Sequence, residues 1–580
     1  MNVPVTRVCD LRLPSGDPEF DAWLFNMLVD NNLVHRVNPA IIASAEQLRF
    51  MVHLEPNQVY LPCSDQTFFD LARDDIPPGL QEQYDRSWRI VSGLLDSLPY
   101  TEEERSVIAS FCLYRFRQAV AGSNVIPSRV VKRLTSYALS MTEDLGDPWT
   151  ERKRQAVEWQ KTHLASEDVR GALDYIGGNE ADSSSIRARR QAMDLLHFAR
   201  YASLCANVRA WSERFPDREE LEDHFQEAVA RFKAVPGVLD ILKKPASTVL
   251  YLSDADGGTL YDVLILRFFL SRGHRVIYAV KDGFYFHNAT LQDITDIPAL
   301  AEAFKGAWIC KDCDITKNEL LRLLREWRLI VLSDGTRERL NLSRTSVAFA
   351  RAWKEADLVV AHGWRKRKRL IETSIEFTRD ILCWWEDKDG FQVRLRRHHP
   401  AERKFTELEL SDMADEIIAG MRDAKARGKS VMFYSCVIGS IPGEVKTASA
   451  LVCAFVKHLR ERMPNAYVVN PAEHFVEGMD GDDLMYMWEK VQRSGLISIW
   501  RFQTAEDIEQ AFALLGMAVP PIWVGKDSTY STGCTKEMRI ACDVQSKNPE
   551  MQIIGPSPDK FFRRGDYGVG KYFDATLAHR

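Results

Sequence analysis

What the chain lacks narrows its class before anything present in it does. It has no run of about 18 uncharged apolar residues, the length a helix needs to cross a bilayer, so no membrane span is expected. The opening MNVPVTRVCDLRLPSGDPEF holds no apolar core of the kind a secretory leader carries. Neither sign of charge is in excess: 76 Lys and Arg against 82 Asp and Glu leave a net charge of −6. That balance gives no reason to expect a nucleic-acid partner, and 45% hydrophobic residues argue against a disordered chain. The eleven cysteines are scattered, without the spacing of a small disulfide framework, which points to a reducing, cytoplasmic setting. Internal repeats and low-complexity tracts are also missing.

What is there is a long chain, 580 residues, whose texture changes along its length. Up to about residue 235, RSWRIVSGLLDSL, ERSVIASFCLYRFRQAV and SIRARRQAMDLLHFARYASLCANVRAW place apolar residues three and four apart. That spacing predicts helices, with SGDP, DIPPG and GNEADSSS as the turns between them. Residues 1–240 are therefore expected to form a mostly helical region of one or two subdomains, with a packing or lid role. From Pro245 onward, β-rich runs such as TVLYLSD, HRVIYAVKDG, RLIVLSDG and DLVVAHG alternate with amphipathic stretches. This rhythm predicts an α/β fold, a three-layer α/β/α domain on a mainly parallel sheet over 241–400. After the charged RLRRHHPAERKFTELE, the strand-like VMFYSCVIG, NAYVVNP, LISIWRF and MQIIGPS predict a second α/β unit over 405–580.

Ligands of parallel sheets gather beyond the carboxyl ends of the strands. Here those ends read SDADGG, KDG, SDG and HG, polar and rich in glycine. In YLSDADGGTLYD (251–262), Gly257 and Gly258 permit positive φ, and Asp254 or Asp256 can cap a helix starting near Thr259. The same residues suit chemistry: carboxylates at a strand end hold a divalent cation, while the amides of the next helix face a phosphate. The Asp-x-Asp-Gly-Thr motif of haloacid-dehalogenase-like hydrolases fits poorly, because Gly258 intrudes before Thr259 and the acids of GMDGDDLMY follow no matching strand.

A second pattern fits more of the chain. Asp254, Gly257 and Asp262, then Lys281 and Gly283, then Asn288, Ala289, Thr290 and Asp293 stand in one order without a gap. IVLSDGTRERLNLSRTSVAFARAWKEADLVVAHG continues it. Over about 245–365 the sequence resembles the damage-control phosphatases, whose domain is also called acidic-residue methyltransferase-like. The resemblance implies a divalent metal, of Mn, Co, Ni or Mg type, and a phosphorylated small-molecule substrate, with Asp254 as the principal metal ligand. It also implies that Lys281 and the end of the later strand, here His362, face the phosphate. The family's Asn of the first motif is Ala255 here, and the second-motif Asp is Asn288. Asp256 and His287 adjoin those positions and offer replacement ligands. Two readings follow: a metal-dependent phosphoester hydrolase, or a nucleotide- or sugar-phosphate-binding or transferase protein that has lost the family metal site.

Other candidates are single loops. Asp334 lies at a strand end, and Arg365 opens the basic run RKRKR directly after one. Lys526, in VGKDSTYSTGCTKEM, is a plausible anion contact in the second unit, and RRGDYGVGKYFD adds arginines on a glycine-rich loop. The pair Cys310 and Cys313 lacks a partner pair, and a structural role is expected for it.

Overall fold

The run TVLYL forms β1 (Thr248–Leu252), buried at every position. Burial on both faces is why the strand is continuously apolar rather than alternating. In the computed structural model, which describes residues 3–33, 47–98, 100–122, 124–140, 146–174, 186–212, 214–244, 247–254, 257–441 and 443–566, β1 is central to a seven-stranded sheet. Its other strands are β2 (Arg275–Val280), β3 (Trp308–Cys310), β4 (Leu329–Ser333), β5 (Leu358–His362), β6 (Asp380–Asp387) and β7 (Gly390–Arg396). The order is β3-β4-β2-β1-β5-β6-β7, and every pairing is parallel except β6 with β7.

That order places the sheet's reversal between β1 and β5: the chain builds outward through β2 and β4, then returns to the other side of β1. The register keeps the carboxyl ends level, with Leu252 opposite both Ala279 and Ala361, and Val280 opposite Ser333. The residues following β1, β2, β4 and β5 therefore share one edge, and the crevice at the reversal is where such sheets bind ligands.

Helices cover both faces. Val157, Phe198, Phe225 and Phe232, from the helices Thr150–Ala165, Ile186–Ala206 and Arg218–Ala234, share one core with Val249, Tyr251, Tyr278, Val360 and Trp384 of the sheet. Each such side chain is worth about 1.5–3 kcal/mol when removed from water. The helices Lys317–Glu326 and Val347–Glu355 pack from β4 and β1. The α/β class and the mainly parallel sheet expected from the sequence are both present.

The chain divides into two compact units, the first ending at Glu402 and the second running from Arg403. The helical residues before β1 fall in the first unit, together with the seven-stranded sheet. The second unit holds β8 (Ser430–Ser435), β9 (Ala466–Val469), β10 (Ile499–Phe502) and β11 (Gln552–Ile554), a parallel sheet in the order β11-β10-β8-β9. Phe433 and Trp500 face one of its cores, and Tyr434 and Phe455 the other. Among the described residues, no helix is long and apolar enough to cross a membrane.

Candidate active site

Asp254 stands just past the end of β1, buried, directly against the start of the segment that follows β5. A Cβ on Gly363 would lie 2.8 Å from Asp254 Oδ1 and 2.9 Å from Oδ2. Gly363 also has φ +89°, a conformation that disfavours any side chain. Glycine is thus required twice over, and the carboxylate sits at the sheet's reversal. Asp254 Oδ1 is buried without a hydrogen-bond partner among the described residues. Such an oxygen costs stability unless something else satisfies it.

Two lysines share this edge. Lys281, the first residue after β2, is buried and donates from Nζ to Asp334 Oδ2 at 2.6 Å and to Thr336 Oγ1 at 2.9 Å. Asp334 is held by its own turn, accepting from the Thr336 amide at 2.8 Å. Lys366, on the helix Trp364–Leu370, donates to the Ser253 carbonyl. Burial pushes the Lys366 ammonium below the usual lysine value; Asp254 and Asp334 pull it back up while Lys281 adds to the push.

Gly257 and the start of the helix that follows it are pinned from the helical region. Gln160 donates to the Gly257 carbonyl at 2.7 Å and accepts from the Leu260 amide at 3.0 Å. Gly257 has φ +83°, and a Cβ there would meet His287 Cβ at 3.2 Å, so this turn and the loop after β2 touch. Gly258 precedes the helix Thr259–Ser271 without a side-chain cap. In the facing loop Asn288 donates from Nδ2 to the Tyr285 carbonyl at 2.7 Å, which turns its amide oxygen the other way. Phe286 has φ 53°, a conformation costing a bulky residue roughly 1–3 kcal/mol. Its ring packs 5.1 Å from that of Trp149, against the helical region.

His362 is the last residue of β5, and the structure turns it into the sheet's core face. Its Nε2 lies 2.9 Å from Asp262 Oδ1, and its ring stacks on Trp384 at 5.7 Å. Asp262 also accepts from the Tyr251 hydroxyl at 2.7 Å and the Tyr278 hydroxyl at 2.8 Å. Burial opposes a charged imidazole, but the Asp262 carboxylate and its hydrogen bond, with Asp254 beyond, outweigh it and raise His362 above the ordinary histidine value. Cys205, Asp262 and His362 bring one potential ligand atom each within 4.8 Å of one another. A cation in that cluster would have to displace the three donors already on Asp262.

Beyond the strand ends lies a cavity of about 290 Å³ between the helical region and the loops after β2, β4 and β5. Arg89, Arg152, Arg209, Arg339 and Arg365 line it, with no Asp or Glu among its described lining residues. His287 is on its wall as well, so the cavity adjoins Gly257.

Of the residues singled out from sequence, Asp254, Lys281 and Asp334 share the edge, with Gly257 and His287 in contact beside it. Arg365 faces the cavity, and Asn288 sits in the adjoining loop. Asp256 lies outside the described residues. Lys526 belongs to the second unit, with Nζ 4.0 Å from the centre of the Tyr530 ring. Sequence reasoning quoted the basic run that holds Lys366 and named Asp262 without giving either a site role, and it missed Arg339, Gln160 and the cluster of Cys205, Asp262 and His362. Lys366 was recoverable: three residues before Arg369 and four before Leu370, it shares their buried helical face.

A family model for the damage-control phosphatase ARMT1-like domain matches residues 85–380, just over half of the chain. The chain belongs to that family. The match begins inside the helix Pro78–Ser97, so the family's domain takes in helical residues well before β1. Among solved structures, a DUF89 family protein from Pyrococcus horikoshii is similar, 18% identical over 53% of this chain and 91% of its own, with a TM-score of 0.35. No curated protein matches.

The family's divalent metal finds a partial donor set here. Asp254 supplies a buried carboxylate with an oxygen unsatisfied among the described residues, the one anionic ligand retained in kind. Asn288 and His287, on the loop that touches this turn, add an amide oxygen and an imidazole, donors that suit Mn-, Co- or Ni-like ions.

Proposed function

We propose that the protein is a metal-dependent phosphatase-type enzyme acting on a phosphorylated small molecule. The single observation that carries this reading is the carboxyl edge itself, where Asp254, with a buried oxygen unsatisfied among the described residues, meets Gly363 at the sheet's reversal with Lys281 and Lys366 beside it. Asp254 is the principal metal ligand, helped by His287 and Asn288. A bound divalent ion would polarise the phosphoryl group and lower the pKa of a coordinated water. The chain's own work is electrostatic and positional. Lys281 and Lys366 balance phosphate charge; Asp334 and the Ser253 carbonyl hold those ammoniums in place; Gln160 fixes the turn. His362, held toward its charged form by Asp262, is a positioning residue for the β5 end.

A second reading rests on Ala255 and Asn288, which stand where the family has metal ligands. In it the edge binds a sugar or nucleotide phosphate, for transfer or without chemistry. A screen of phosphorylated metabolites with Mn, Co, Ni or Mg, run beside metal analysis of the purified protein, separates the two. Metal-stimulated phosphate release supports hydrolysis; saturable binding with no release under any metal supports the second reading.

A further inference from the structure

The cations around this edge fall into two groups. In the first, Lys281 pairs with Asp334, and Lys366 feels Asp254, Asp334 and Asp262 as well as Lys281, so carboxylates stand among the ammoniums. The second group gathers guanidiniums around one indole, beside a cavity with no Asp or Glu among its described lining residues. Trp364 is flanked by three guanidiniums: Arg86 lies 4.2 Å, Arg365 4.9 Å and Arg339 5.1 Å from its ring centre. Arg339 Nε is buried and has no hydrogen-bond partner among the described residues. Burial pulls Arg339 down to about 10; the Tyr285 hydroxyl favours its charge, and the guanidiniums of Arg365, Arg369 and Arg86 oppose it. Stacking on an indole face offsets part of that cost. It does not supply the counter-charge that a buried guanidinium needs.

Arg339 and Arg365 both line the 290 Å³ cavity, which is near the small end of the range for ligand pockets. Resting on the proposed phosphate site at the strand ends, we infer that the substrate is a compact metabolite with two separate anionic groups. One is the phosphoryl group held at the edge of Asp254, Lys281 and Lys366. The other is a second phosphate or a carboxylate received by Arg339 and Arg365 over Trp364. Arg339 is then the specificity-determining residue, because its planar fork suits a bidentate oxyanion.

The test is equilibrium binding, without turnover, of inorganic phosphate, glucose monophosphate and glucose bisphosphate to the full-length protein. Glucose bisphosphate should bind at least about tenfold tighter than the monophosphate, the scale of one charge-assisted contact. Arg339→Met should erase that preference and leave monophosphate affinity within about twofold, a change too small to count as lost binding energy. Arg339→Lys, which keeps the charge and loses the fork, should retain part of the preference. If Arg339→Met melts well below the wild type, Arg365→Gln gives the same readout from the other side of Trp364. Equal affinity for the two sugars in the wild type, or a preference that survives both substitutions, overturns the inference. A bisphosphate preference that depends on Arg339, with no ester hydrolysed under any metal, upholds it and removes the hydrolytic reading instead.

Discussion

At the carboxyl edge of the seven-stranded sheet, a buried carboxylate oxygen lacks a partner among the described residues, two lysines stand beside it, and a cavity walled by arginines opens next to it. The strand order of the second unit's four-stranded sheet also reverses, between β8 and β10, yet many polar groups near that edge bond to one another. The buried atoms there without a partner among the described residues, Gln492 Oε1 and Ser528 Oγ, are uncharged. Gln503 accepts from the Val437 amide at 2.9 Å and donates from its own amide to the Ser435 carbonyl at 2.9 Å. Trp500 donates to Ser435 Oγ at 2.8 Å, and Gln492 donates to Glu537 at 2.9 Å. Burial pushes the Glu537 carboxyl up to about 7, and no arginine or lysine is among the main groups acting on it. The topology of the two edges is alike, but their charge is not. A reversal of strand order makes a crevice; unsatisfied charge beside a cavity makes it a candidate site.

The largest effect expected from breaking this contrast is at Lys281. Lys281→Met leaves Asp334 buried without its ammonium and should cost the first unit about 3–5 kcal/mol in denaturant unfolding. A loss under about 1 kcal/mol, the scale of an exposed pair, would mean that the edge is not a charge-balanced assembly. Next comes Gly363→Ala, where the added Cβ must displace the Asp254 carboxylate from 2.8–2.9 Å and occupy a positive φ. It should destabilise by about 1–3 kcal/mol and reduce phosphate or metal binding more than its loss in melting temperature explains. Unchanged binding would detach Asp254 from function.

The smallest effects differ in sign between the units. Glu537, lifted from 4.5 to about 7, favours the protonated form when folded, so its stabilisation is full below 4.5 and is lost as pH rises to about 7. His163, buried and bonded to the Tyr261 hydroxyl, is pulled by desolvation from 6.5 down to about 4. Its contribution is present above 6.5 and is lost as pH falls toward 4. Between pH 7 and 5 each change is about 2 kcal/mol. Hydrogen exchange at β8 should lose its pH slope in Glu537→Gln, and exchange in the helix Thr150–Ala165 should lose the opposite slope in His163→Gln. Slopes of the same sign would contradict the assigned burial.

Much of the edge was legible because strands announce their ends locally. TVLYL running into SDADGG, and DLVVA into HG, place Asp254 and Gly363 at strand ends by local pattern alone. Which way a side chain turns is not local. His362 reads as an edge residue, yet Asp262, Tyr251 and Tyr278 draw it into the core, and that trio converges only after the helix Thr259–Ser271 packs on the sheet. The cavity was harder still: Arg89, Arg209, Arg339 and Arg365 are far apart in sequence and look like solvated surface until the helical region covers the strand ends. For the same reason the family's domain, which starts at residue 85, was visible from sequence only from about 245.

The most direct measurement compares phosphate release from a substrate found by the metal-supplemented screen in three proteins: wild type, Asp254→Asn and Glu537→Gln. Each is checked first for an unchanged melting profile at the assay pH. The account predicts at least about a hundredfold loss in Asp254→Asn, the scale of removing one charge partner of the reacting group. It predicts less than about a twofold change in Glu537→Gln, whose edge leaves no charged atom unsatisfied among the described residues, the small size expected of a residue outside the reaction. Full activity in Asp254→Asn, or an equal loss in Glu537→Gln, would contradict the assignment of the site to the seven-stranded sheet.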